Sequence, residues 1–159
     1  MKKALYIHIG VHKTGSTAIQ QYLFINKDKL KEIGVLYPGN KNNHYGISND
    51  LRKDKEPWLN EESETFKVFT EIKNNLFNYQ KFILSSEGFC ENYKIIVPQL
   101  KKTLEYFNLD IQIKIITFYR KQESLLLSAY QQIVKGLKRR SALTFEKLIQ
   151  NKIFFTNWD

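Results

Sequence analysis

Apolar residues open the chain as a short run, Ala4 to Ile9, rich in β-forming types and closed by Gly10, which predicts a buried strand. From Ser16 to about Glu32 the spacing becomes helical, with Ile19, Leu23, Leu30 and Ile33 forming an apolar stripe. Val35-Leu36-Tyr37 reads as a second, short strand before the turn signal Pro38-Gly39. Asn40 to about Asn60 has no period and reads as a long polar loop, a kind of segment that often carries substrate contacts. Helical spacing returns from Glu62 to Phe77 through Phe66, Phe69, Ile72 and Leu76, and Lys81 to Ser85 follows as a buried strand. Ile95 to Phe107 reads as a helix and Ile111 to Tyr119 as a strand. Glu123 to Lys135 is a helix by period, ahead of a basic turn, Lys138-Arg139-Arg140. Thr144 predicts the N-cap of a final helix reaching Asn151. Strands alternating with helices predict an α/β fold of three layers, a mainly parallel central sheet flanked by helices.

The composition adds limits. A chain of 159 residues, 42% hydrophobic and 26% charged, fits one folded domain over residues 1–159 with no interdomain linker. Cys90 is the only cysteine, which excludes a disulfide scaffold. No apolar run approaches the roughly 20 residues that cross a bilayer, so no stable membrane insertion is expected. Met1-Lys2-Lys3 and the apolar run after it imitate a signal peptide, but no small-residue cleavage site follows His12-Lys13. A cytoplasmic protein is the expectation. The 25 Lys and Arg residues against 16 acidic ones leave a net charge of +9, which favours an anionic partner. Nucleic acid is not expected, because no nucleic-acid module is visible and no aromatics interleave with the basic run Lys135 to Arg140. That run reads first as cations complementing a helix C-terminus. Cys and His residues at zinc spacing are missing, and no metal is expected.

The candidate chemistry concentrates in Gly10-Val11-His12-Lys13-Thr14-Gly15-Ser16-Thr17, between the first strand and the first helix. A glycine-punctuated turn there lets backbone N–H groups converge on an anion beside a helix N-terminus. Lys13 adds a charge, and Thr14, Ser16 and Thr17 add hydroxyls. Gly10 and Gly15 have the separation of the nucleotide triphosphatase pattern and Thr17 its last position, giving a P-loop-like fold. Ser16 stands where that pattern has its lysine, which disfavours a P-loop nucleotide kinase.

His12-Lys13-Thr14-Gly15-Ser16-Thr17 resembles the 5′-phosphosulfate loop of sulfotransferases that use 3′-phosphoadenosine 5′-phosphosulfate. Ile115-Ile116-Thr117-Phe118-Tyr119-Arg120, with Ser128 eight residues after the arginine, resembles the family's 3′-phosphate element. Leu84-Ser85-Ser86-Glu87-Gly88-Phe89 is similar to a strand end of its bacterial carbohydrate-type members. The resemblance implies sulfuryl transfer to a hydroxyl, or an amine, of a carbohydrate or other small-molecule acceptor. It implies that His12 to Thr17 hold the 5′ end of the donor, with Lys13 also at the bridging oxygen, and that Arg120 and Ser128 hold the 3′-phosphate. Glu87 resembles the family's carboxylate base, and His44 is similar to a loop histidine of bacterial relatives; both are candidate proton acceptors. Family members usually continue with further helices and a glycine- and base-rich loop that closes over the nucleotide, so the resemblance implies a domain lacking its C-terminal part. A non-catalytic nucleotide- or anion-binding module is the alternative outside enzymes.

Overall fold

A computed structural model describes residues 2–53, 55–135 and 144–150. The chain divides between Thr117 and Phe118 into two compact units.

The first unit is built on four parallel strands, β1 (Ala4–His8), β2 (Val35–Leu36), β3 (Lys81–Ser85) and β4 (Gln112–Ile116), in the order β2-β3-β1-β4. Ala4 lies opposite Lys81 and Gln112, and His8 opposite Ser85 and Ile116. Alternation along the strands separates two chemistries. Leu5, Ile7, Leu36, Phe82 and Leu84 are fully buried and join one core with residues of the helices that follow β2 and β3. Each such side chain contributes about 1.5–3 kcal/mol by leaving water. His8 and Ser85 fall on the opposite face and are buried as well, but they are polar.

The connections confirm a three-layer α/β fold and place its crevice. From β1 the chain passes through α1 (Ser16–Ile25) and α2 (Lys27–Glu32) to β2, on the far side of β3. From β3 it passes through α5 (Gly88–Glu91) and α6 (Tyr93–Tyr106) to β4, on the far side of β1. Neighbouring strands β1 and β3 therefore send the chain in opposite directions, and in such sheets ligands bind at the carboxyl ends of that strand pair.

Four expectations are corrected. The helix expected from Ser16 to Glu32 breaks at Asn26, whose side-chain amide and backbone N–H both donate to the Tyr22 carbonyl and close α1. Its apolar stripe is only half-buried at Ile19, Leu23 and Leu30, and Ile33 is exposed, whereas Ser16 and Gln20 are buried. The long loop expected from Asn40 to Asn60 contains a helix, α3 (Tyr45–Lys53), and a 3-10 turn, Pro57–Leu59. Ile47 and Leu51, one helical turn apart and fully buried, anchor α3 against α4 (Glu64–Asn74) and α6. The strand expected to reach Tyr119 ends at Ile116. Among the described residues β4 is an edge strand, with Gln112 to Ile115 exposed; the Lys114 ammonium lies 5.4 Å from the Tyr6 ring centre.

The second unit contains α7 (Gln122–Lys135) and α8 (Phe145–Gln150). Thr144 Oγ1 accepts the Lys147 N–H at 3.4 Å, as an N-cap does, and the Tyr130 ring meets Phe145 edge-on. Lys138-Arg139-Arg140 and Asn151 lie outside the described residues. Among the described residues no helix is long and apolar enough to cross a membrane.

Candidate functional site

The loop from Ile9 to Gly15 leaves β1 at the crevice and is held by the strand ends on both sides. Thr117 Oγ1, just past β4, donates to the Gly10 carbonyl at 2.8 Å. Glu87, just past β3, packs so closely over Gly10 that a Cβ there would lie 2.9 Å from the Glu87 Cγ. Gly10 also has φ +87°, so both its backbone and its contact require glycine. Within the loop Thr14 Oγ1 donates to the Val11 carbonyl at 2.6 Å, and Ser16 Oγ reaches the same oxygen at 3.5 Å.

Gly15 (φ +92°) and Lys13 (φ +66°) also have left-handed backbones. For lysine that conformation costs about 1–2 kcal/mol, which the loop's internal bonds offset. Gly15 is the N-cap of α1 and supplies no side-chain cap, so the helix's first N–H groups stand at the loop without a capping oxygen. His12 Nε2 is hydrogen-bonded with Glu91 Oε1 of α5, which ties the loop's outer side to the segment after β3. His12, Lys13, Thr14, Gly15, Ser16 and Thr17 thus sit together at one strand end with Glu87 against them. Such a loop can receive an anion from its backbone side while a carboxylate stands beside it.

His44 falls within the segment expected as a long polar loop. It is buried just before α3, and both ring nitrogens are engaged. Nδ1 accepts the Ser85 N–H at 3.0 Å and Nε2 donates to the Pro38 carbonyl at 2.9 Å. The Tyr37 ring packs edge-on at 4.7 Å. Burial pushes the imidazole down to about 4, with its two backbone bonds opposing the shift. This ring has no lone pair to offer a substrate, and it acts as a buried strut between β3 and the segment after β2.

His8 and Ser85 pair beneath the loop, His8 Nδ1 to Ser85 Oγ at 2.7 Å. Burial holds His8 below the usual histidine range, against the pull of the Glu87 charge. The same charge acts with burial to push the Tyr37 phenol up. Gln20 was not singled out by its sequence context. It is 3% exposed, and its Nε2 donates to Glu87 Oε2 at 3.2 Å. Its only sequence signal is a position one turn after Ser16 on the same helix face.

Arg120 and Ser128 belong to the second unit. Arg120 is exposed two residues before α7, and Ser128 is half-buried within it. Two surface clefts lie apart from the loop. One of about 510 Å³ is lined by Lys41, Glu62, Glu64, Lys67 and Glu71, and one of about 590 Å³ by residues from Lys101 to Asp110. In the first, Lys41–Glu64 and Lys67–Glu62 are paired and Glu71 accepts the Gly39 N–H, so the convergent chemistry lies at the loop. Among the described residues no group of three or more His, Cys, Asp or Glu could hold a metal ion. No protein-family model, curated protein or solved structure matches the chain.

Proposed function

We propose that the chain is a sulfotransferase that moves a sulfuryl group from 3′-phosphoadenosine 5′-phosphosulfate to a hydroxyl, or an amine, of a carbohydrate or other small acceptor. The observation that carries the reading is the loop between β1 and α1, with left-handed backbone at Gly10, Lys13 and Gly15 and with Glu87 seated against Gly10. Backbone donors and a lysine suit the 5′ phosphosulfate end, and a carboxylate beside them suits the proton of the acceptor. In the reaction the acceptor oxygen forms a bond to sulfur while the bond from sulfur to the bridging oxygen breaks. The electron pair stays on that oxygen, adenosine 3′,5′-bisphosphate leaves, and Glu87 takes the acceptor's proton. Lys13 would compensate the charge that grows on the leaving oxygen. The resemblance assigns Arg120 and Ser128 to the 3′-phosphate, and a guanidinium fork matches phosphate oxygens.

Calorimetry tests the reading with adenosine 3′,5′-bisphosphate against ATP–Mg. Binding of the bisphosphate, lost in Lys13→Ala, is expected; binding of ATP–Mg alone would select a P-loop kinase. A sulfate-transfer assay across acceptors separates enzyme from binding module: bisphosphate binding without turnover selects the module.

A further inference from the structure

The face that α1 buries has unusual chemistry. An amphipathic helix normally buries aliphatic residues, yet here the buried positions are Ser16 and Gln20, while Ile25 and Tyr22 are exposed. A buried side-chain amide is costly unless it is hydrogen-bonded. The Gln20 amide meets Glu87 Oε2 at 3.2 Å, across 67 positions of sequence. The stem of Glu87 is confined from another side by Gly10, where no Cβ could fit without displacing it.

We infer that Gln20 is a positioning residue for Glu87. An amide N–H can only donate, so Gln20 engages Oε2 without competing for the acceptor's proton, and Oε1 is the oxygen that takes it. Gln20 lies one turn beyond Ser16 in the helix that starts at the loop. The placement of the donor at the loop and the orientation of the base are therefore set by one rigid element.

The kinetic part of this inference rests on the sulfotransferase reading, so two experiments are combined. Gln20→Met keeps the side chain unbranched and of similar length but removes the donor. It is expected to bind adenosine 3′,5′-bisphosphate as the wild type does and to keep the donor KM, while kcat falls about 30- to 100-fold, the size of effect that misplacing a reacting group produces. A wild-type kcat, or an equal loss in bisphosphate affinity and kcat, overturns the positioning role. The second experiment needs neither turnover nor a Gln20 variant: the side-chain amide signals of Gln20 are followed by ¹⁵N NMR in the wild type, in Glu87→Gln and in Glu91→Gln. They are expected to move in Glu87→Gln only. Unmoved signals mean that the pairing is absent, and the inference falls whatever the chain catalyses. Signals that move in Glu87→Gln, when the wild type transfers no sulfuryl group, sink the sulfotransferase reading and leave the Gln20–Glu87 pairing supported.

Discussion

Glu87 and His44 are both attached to the carboxyl end of β3, and they have opposite fates. His44 is 1% exposed with both nitrogens bonded to backbone, whereas Glu87 is half-buried against the loop with one oxygen bonded to a side chain. The same strand end therefore supplies one group whose hydrogen-bonding capacity is spent on the fold and one whose capacity is partly kept. Proximity to a crevice does not make a base; a remaining lone pair does.

The largest expected effect is on turnover. Glu87→Gln should lower kcat by about 10²- to 10⁴-fold, the usual contribution of a positioned proton acceptor, with little change in melting temperature. A near-normal kcat would remove the distinction between the two groups. His44→Ala should act the other way. It strands the buried Ser85 N–H and Pro38 carbonyl, and a loss of about 3–5 kcal/mol is expected in urea unfolding, with turnover retained by the molecules that stay folded. Loss of turnover without loss of stability would return His44 to the candidate bases.

Acid sharpens the same contrast. The His44 imidazole titrates at about 4 in the fold and near 6.5 when unfolded, so between those values the unfolded chain binds the extra proton. Stability is complete above about pH 6.5 and falls as pH drops towards 4, by an amount on the order of 3 kcal/mol. His8, also held low by burial, adds to the loss in the same direction. Unfolding curves taken from pH 7 down to 4 should steepen in this window in the wild type and flatten in His44→Gln. The smallest effect on stability belongs to the loop. Lys13→Gly relieves the left-handed backbone and should raise stability by about 0.5–1 kcal/mol while removing the proposed sulfuryl transfer, a divergence read by unfolding and activity side by side.

The strands β1 and β3 and the helices α4 and α6 were legible because their apolar residues recur at one period and are buried at that period. α3 was not, because Gly46, Ser48, Asn49 and Asp50 are poor helix formers and only Ile47 and Leu51 mark its core face. Tertiary packing on those two residues overrides the local preference. The split at Asn26 depends on side-chain capping of the Tyr22 carbonyl, which no apolar period reports. At the site, the glycines and Lys13 announced the turn by residue type alone. The Gln20–Glu87 contact and the engagement of His44 could not be read in the same way, since each joins segments far apart in the chain.

The exposed β4 strand has a consequence for handling the protein. Ile111 to Ile116 is almost entirely apolar or uncharged and β-branched, the composition that stacks between molecules when an unpaired edge is available. Lys114 is the one charge in that stretch, the kind of residue that interrupts such stacking. Neutralising it, by acetylation or by substitution, would leave the fold in place and shorten the time the protein survives at high concentration.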